Sequence, residues 1–294
     1  MSMITVENLV KSYTTYKRGS GFGETMKSFF KRTAVEIKAV DDISFEIEKG
    51  RICGILGPNG AGKSTTIRSM LGFLNYEKGE IRILGKDSKK EKEAILGEIG
   101  YMPSEAMFYP TMTVNDTIKM AAEVRKTDCR AEAEKLCERL KVDVRKKIHE
   151  LSLGNRKKVS IICAMQHKPK LFIFDEPTSG LDPLMQTEFF RLVKEYVANG
   201  ATCMLSTHVL SEVKNYCNHV AIMKEGRLQC VDEVSQLTKT NAKRIKMIRD
   251  GVAEDFLYEG NLNDLYKELQ GYDIADILIE EPSLDEIFMH FYQA

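Results

Sequence analysis

One run constrains this chain more than any other: Gly57-Pro58-Asn59-Gly60-Ala61-Gly62-Lys63-Ser64-Thr65. It follows Ile52-Cys53-Gly54-Ile55-Leu56, a short apolar stretch that reads as a buried strand. It precedes residues 66–71, in which Ile67, Met70 and Leu71 recur at helical spacing. Strand, glycine-rich turn and helix start, in that order, form the context a phosphate-binding loop requires. The glycines at 57, 60 and 62 let the backbone curl so that several N–H groups aim at one anion. A helix opening at Lys63 adds unpaired N–H groups and a positive dipole end. Lys63 would reach the β- and γ-phosphates, and the Ser64 hydroxyl would be a ligand for Mg²⁺. A glycine-rich turn matching by accident is the bland alternative, and the flanking strand and helix weigh against it. The loop predicts a bound nucleoside triphosphate, cradled by residues 57–65.

The rest of the chain has to support that loop. Its 294 residues, 43% of them hydrophobic, suffice for one large domain with a core and a small appendage. A formal net charge of zero gives no electrostatic footprint of a nucleic-acid partner, and none is expected. The cysteines, at 53, 129, 137, 163, 203, 217 and 230, are odd in number and form no Cys-x-x-Cys pair. That pattern argues against a disulfide framework or a zinc site and suits a reducing cytosol. The start of the chain reads without a signal sequence, and no stretch of about eighteen apolar residues occurs. Any membrane role is expected to be borrowed from another polypeptide.

Taken in order, residues 3–13 predict a strand ending at Tyr13. Residues 40–48 alternate cleanly, with Ile43, Phe45 and Ile47 on one face, and the two strands are expected to pair antiparallel beside the loop. Tyr13 is a candidate platform for a stacked base, with Tyr16 a weaker rival. A tyrosine merely closing a sheet edge is the plain alternative. Residues 17–39 read as an insertion with six cations, Lys17, Arg18, Lys27, Lys31, Arg32 and Lys38, against Glu24 and Glu36. Phe22, Met26, Phe29 and Phe30 fall at helical spacing within it. Two readings stay open: the aromatics pack back on the domain, which a single apolar stripe favours, or the segment touches an anionic membrane surface or a partner. Beyond it come a strand at 80–85, a charged helix at 88–96 and a strand at 99–102 stopped by Pro103. Thr113 to Asp116 has the look of a helix start. A helical subdomain is expected over about 103–165.

Residues 170–174 and 201–206 are further apolar strands. The first ends at Asp175-Glu176 and the second at Thr207-His208. Three apolar strands thus deliver chemistry at their carboxyl ends, the edge where ligands sit in parallel α/β sheets; helices around 63–72 and 183–198 supply the crossovers. Of the adjacent acids, Asp175 can hold Mg²⁺ through its water shell. Glu176 can face the γ-phosphate and take a proton from the attacking water. His208 stands where it can hydrogen-bond that phosphate; the histidines at 149, 167, 219 and 290 read as structural. Ser152 is a natural cap for a helix running to about Gln166, and Gly154 exposes backbone N–H groups to an anion. Arg156, Lys157 and Lys158 oppose the dipole of that helix, which is tolerable if a phosphate docks there. Since this start belongs to no single-site triad with the first loop, a second molecule supplying it in trans makes sense of it. Residues 220–223 and 227–231 predict a hairpin. Past about 238 the character changes to a small α+β unit, with strands at 243–249 and 274–280 and helices at 262–269 and 283–291.

The chain resembles the nucleotide-binding subunit of an ATP-binding cassette (ABC) transporter. Walker A corresponds to residues 57–65, Walker B to 171–176 and the signature to 151–155. The D-loop corresponds to 179–182 and the switch to His208, with Tyr13 as the adenine-stacking aromatic. Order and spacing fit over residues 3–235. The sequence 281–288, Glu-Pro-Ser-Leu-Asp-Glu-Ile-Phe, resembles the tails of cassettes in two-component exporters, whose permease is a separate chain. The resemblance implies an α/β P-loop NTPase fold: a RecA-like parallel core sheet, an antiparallel β subdomain and a helical subdomain in residues 1–238, then the α+β appendage in 239–294. It implies ATP and Mg²⁺ as ligands and hydrolysis to ADP and phosphate. Two cassettes, a homodimer or a pair, would trap two ATPs head to tail, with Ser152 and Gly154 touching the γ-phosphate across the interface. They would drive a transmembrane permease from the cytoplasmic face of the membrane. Two departures stand out. The signature reads Leu-Ser-Leu-Gly-Asn, and no glutamine occurs in residues 77–120, where the Q-loop should supply one. Ser104 or Glu105 would offer an oxygen to the metal instead. The rival readings are a soluble cassette acting on ribosomes or DNA, and a nucleotide-dependent module with weak turnover. A single phosphate loop without sustained heptads speaks against the first, and the absent glutamine alone favours the second.

Overall fold

The computed structural model describes residues 2–17, 33–105, 107–237, 242–281 and 286. The chain divides into two compact units, residues 1–231 and 232–294.

The first unit is built on a six-stranded sheet. Its strands are β3 (Ile52–Leu56), β6 (Ile99–Met102), β7 (Leu171–Asp175), β8 (Thr202–Thr207), β9 (His219–Lys224) and β10 (Arg227–Glu233). Their order is β10-β9-β3-β8-β7-β6, with β9, β3, β8, β7 and β6 parallel to one another. Every residue of β3, β7 and β8 is buried, which is what near-continuous apolar runs produce when helices cover both faces. The helices α1 (Lys63–Met70), α5 (Leu153–Met165), α6 (Pro183–Ala198) and α7 (Leu210–Tyr216) border these strands. Phe172 and Phe174 of β7 lie 5.5 Å apart, and Phe174 meets Phe189 of α6 edge-on at 5.3 Å. These contacts fix α6 on the sheet. The carboxyl ends of β3, β7 and β8 then lie side by side.

A second sheet, in the order β2-β1-β4-β5, consists of β1 (Ser2–Lys17), β2 (Thr33–Glu48), β4 (Lys78–Ile83) and β5 (Lys86–Asp87). β1 pairs antiparallel with both β2 and β4, as the alternating patterns predict. The hairpin is longer than expected. β1 runs past Tyr13 to Lys17, and residues 33–39, assigned to the insertion from sequence, continue β2 in register with it. Thr14 and Thr15 pair with Glu36 and Val35, and β-branched residues extend a two-stranded ribbon readily. The amphipathic helix expected at residues 22–30 lies outside the described residues.

The helical subdomain holds α3 (Val114–Val124), α4 (Arg130–Arg139) and α5. Thr113 caps α3 by accepting the Asp116 N–H at 3.1 Å. Arg139 of α4 pairs with Glu188 and Glu195 of α6, tying this subdomain to the core. The next helix, α2 (Lys92–Glu98), begins at Lys92, not at residue 88. The Asp87 carboxylate takes the N–H groups of Lys89 and Lys90 and holds that stretch as a turn.

The second unit has a three-stranded antiparallel sheet in the order β12-β11-β13. Its strands are β11 (Ala242–Arg249), β12 (Val252–Glu259) and β13 (Ile274–Glu280), with a helix α8 (Leu262–Glu268) and a core of Ile245, Met247 and Leu265. β12 is absent from the sequence expectation, although Asp250-Gly251, both at positive φ, form the turn that leads into it. The helix expected at 283–291 and the exporter-like tail fall almost wholly outside the described residues. No helix among the described residues is long and apolar enough to cross a membrane.

Candidate active site

The loop after β3 is pressed between neighbours that admit only glycine at two of its positions. A Cβ on Gly57 would lie 2.5 Å from the Met223 carbonyl oxygen, and one on Gly62 2.4 Å from that of Ala39. Gly62 also has φ 102°, in the left-handed region, and forms the N-cap of α1 with no side-chain cap. The first-turn amides of α1 are therefore left to an external acceptor. Lys63 is 4% exposed, and its Nζ donates to the Gly57 and Pro58 carbonyls at 2.7 and 3.1 Å. Burial pushes the Lys63 ammonium below its ordinary pKa, and the Glu176 and Asp175 carboxylates oppose that shift.

The two acids at the end of β7 have different surroundings. Asp175 is fully buried. Its Oδ1 accepts the Ser206 hydroxyl at 2.6 Å and the Ser64 hydroxyl at 3.0 Å, while its Oδ2 is buried without a hydrogen-bond partner. Glu176 has φ 48°, in the left-handed region that non-glycine residues rarely occupy. Its N–H donates to the hydroxyl and the carbonyl of Ser206, and its own carbonyl accepts Lys157 Nζ at 2.6 Å. The Glu176 Oε1 lies 3.6 Å from Lys63 Nζ and 3.5 Å from His208 Nδ1. His208 is half exposed, at the end of β8. The preceding residue's carbonyl accepts the Gly57 N–H at 3.2 Å, so the loop and the histidine share one backbone contact.

A cavity of about 180 Å³ lined by Ala39, residues 59–65 and Glu176 sits at this junction. That is below the volume of sites that enclose a whole ligand and is of a size for phosphate groups rather than for a whole nucleotide. A cavity of about 1130 Å³ opens between α3 and α4 but holds none of these residues. The small one is the candidate site, because unpaired amides, a buried ammonium and the Glu176 carboxylate line it, with Asp175 held behind Ser64. An unpartnered buried carboxylate oxygen beside a serine hydroxyl is a set of hard oxygen donors, and it fits a magnesium ion completed by phosphate and water.

The structure brings together Gly57 to Thr65, Asp175, Glu176 and His208. It does not bring in the other expected residues. Tyr13 is paired with Ile37 and partly exposed, with Lys11 Nζ 5.1 Å from its ring, and lies outside the cavity. Ser152 caps α5, accepting the Asn155 N–H at 3.3 Å. Gly154 packs so closely that a Cβ would lie 2.6 Å from the Gly180 carbonyl. Neither touches the cavity of its own chain. Ser104 follows β6 by two residues and makes no hydrogen bond to Ser64 or Asp175 among the described residues. One expectation needs correction: Lys157 does not wait for a phosphate at the start of α5 but turns inward to Glu176. Sequence reasoning also missed Ser206. A hydroxyl ending an apolar strand, two residues before the histidine, was the available signal.

With this geometry in view, the similarities of the chain can be read. Residues 40–179 match the family described as ABC transporter. The bacitracin transport ATP-binding protein BcrA of Bacillus licheniformis is 31% identical over 281 residues, covering 86% of this chain and 92% of that one. The linearmycin resistance ATP-binding protein LnrL of Bacillus subtilis (strain 168) is 32% identical over 252 residues, 79% of this chain and 75% of that one. A solved ATP-binding subunit of an ABC transporter, 24% identical, superposes with a TM-score of 0.70 over 99% of this chain and 100% of its own, which speaks for the fold. By its phosphate loop, its sheet and its likeness along nearly the whole of one such relative, this chain belongs to the ABC transporter family as an ATP-binding, ATP-hydrolysing subunit.

Proposed function

We propose that two copies of this cassette, or this one and a paired cassette, close head to tail around two ATP molecules and so drive a separate membrane permease. In each site residues 57–65 hold the phosphates of ATP, while Ser152 and Gly154 of the opposite cassette cover the γ-phosphate. Ser64 and Asp175 hold Mg²⁺, with Ser104 offering a further oxygen from the same sheet edge. Bound there, the ion offsets charge on the β- and γ-phosphates. Glu176 takes the proton of the attacking water and His208 hydrogen-bonds the γ-phosphate. Tyr13, outside the phosphate cavity, stacks on the adenine. The chain would sit at the cytoplasmic face of the membrane, held by its permease. The names of the bacitracin transport and linearmycin resistance relatives favour an exporter of a toxic compound. Closure requires that ATP bind the closed pair better than the open one.

The observation that carries this reading is the position of Glu176, whose Oε1 faces both Lys63 and His208 at the mouth of the phosphate cavity. Glu176→Gln keeps the binding groups and removes the base. It should lower turnover by about 10² to 10⁴ and leave an ATP-bound dimer visible in size-exclusion chromatography with light scattering. Monomer alone in the presence of Mg-ATP would rule out the two-site scheme.

A further inference from the structure

We propose that Lys157 is a positioning residue for ATP hydrolysis: from the second turn of α5 it holds the backbone of Glu176 in the left-handed conformation that aims the carboxylate at Lys63 and His208. This rests on the reading of Glu176 as the base. A lysine is badly placed here on general grounds. It is 4% exposed, near the positive end of a helix that has no acid in its first turn and carries Arg156 and Lys158 beside it. Burial accordingly pulls its pKa down, against the opposing pull of Glu176, Asp175 and Glu105. The one hydrogen bond of its side chain among the described residues is to the Glu176 carbonyl, at 2.6 Å. A charge-assisted bond of that length is among the strong ones.

What that bond secures is unusual backbone. A non-glycine residue at φ 48° costs on the order of 1–3 kcal/mol and persists only where its surroundings over-determine it. Glu176 is held on both sides. Its N–H is fixed by the Ser206 hydroxyl and carbonyl, and its C=O by Lys157. With the carbonyl released, only the amide is tied. The residue then relaxes toward an ordinary conformation, and its carboxylate swings off the line between Lys63 and His208. Lys157 does not line the phosphate cavity, so ATP binding should survive while turnover does not.

The test compares wild type, Lys157→Met, Lys157→Arg, Glu176→Gln and the Lys157→Met/Glu176→Gln double variant of the full chain, each with a melting curve. Lys157→Met should lower kcat at least tenfold, about 1.4 kcal/mol of transition-state stabilisation, with KM for ATP changed less than threefold. Lys157→Arg, which keeps a charged donor, should recover kcat to within threefold of wild type. In the Glu176→Gln background, Lys157→Met should cost nothing further, because a residue acting through Glu176 has nothing left to position. If Lys157→Met does not fold, Lys157→Ala, which also lacks the donor, is read by the same kcat and background comparison. Wild-type kcat in Lys157→Met, or an equal loss with and without Glu176, overturns the proposal. Glu176→Gln that is itself fully active instead removes the base, and with it anything for Lys157 to position.

Discussion

The Ser64 hydroxyl lies 3.0 Å from Asp175 Oδ1, a contact closed across 111 residues of chain. It joins the start of α1 to the end of β7 and leaves Asp175 Oδ2 buried and unpartnered. An oxygen in that state is costly unless something cationic meets it. Asp175→Asn should therefore abolish the dependence of ATP affinity on Mg²⁺, giving the same Kd by calorimetry with the metal and with a chelator. Turnover should fall about 100-fold or more, by loss of the ion that offsets phosphate charge. The melting temperature without nucleotide should stay within a few degrees, since the neutral amide escapes the cost of a buried charge. A variant still bound more tightly with Mg²⁺ would displace Asp175 from the metal.

Gly154 and Gly180 test whether the start of α5 serves a second cassette. The 2.6 Å approach of a Cβ on residue 154 to the Gly180 carbonyl means that Gly154→Ala must push the 179–182 loop away. Overpacking of this kind costs about 1–3 kcal/mol. In the Glu176→Gln background, Gly154→Ala should bind ATP with unchanged affinity but no longer give the dimer. Dimer formation at the same ATP concentration would show that this surface does not pair.

Tyr13 lies outside the phosphate cavity, where an exposed ring can meet a base. Stacking of a base on an aromatic ring is worth about 1–3 kcal/mol, so Tyr13→Ala should weaken ATP binding by roughly 5- to 100-fold, and Tyr13→Phe should not. Because any base offers a π-face, GTP should lose as much as ATP in a fluorescence titration. Unchanged affinity for both would leave Tyr13 as part of the sheet edge.

His167 governs a stretch of acid sensitivity. Its Nε2 lies 3.1 Å from the Ile99 carbonyl and its Nδ1 is buried without a partner, and burial, aided by Arg125, pulls its pKa from 6.5 to about 4. The unfolded chain binds this proton more readily than the folded one, so stability is complete above the unfolded value. It is lost as pH falls from 6.5 toward 4. By pH 5 the loss should be on the order of 1 kcal/mol, allowing for partial exposure. Urea unfolding at both pH values should show it, and His167→Gln should remove most of it. An identical slope in that variant would place the acid sensitivity elsewhere.

Where one local signal decides the structure, the sequence was enough to read it. The apolar runs at 52–56 and 99–102, the Pro183 start of α6 and the Ser152 cap are of this kind, and β3, β6, α6 and α5 begin where those signals lie. Pairing decided the rest. The continuation of β1 past Tyr13 depends on residues 33–37 lying opposite it, and polar Thr14 and Thr15 give no hydrophobic alternation to announce that. The direction of Lys157 was hidden for a related reason. A cation near a helix start beside two others looks like an anion site until β7 is seen to end against it. Ser206 reads as one more strand residue until its hydroxyl is found between the Asp175 carboxylate and the Glu176 amide.

Helix α5 is capped by Ser152 and carries Lys157 about 7.5 Å further along its axis. In a head-to-tail pair its tip would rest on one nucleotide while its flank braces the machinery that cleaves another. A single short rod then answers to two reaction centres. In such a pair, a shift of this helix at either centre would be felt at the other through a handful of residues.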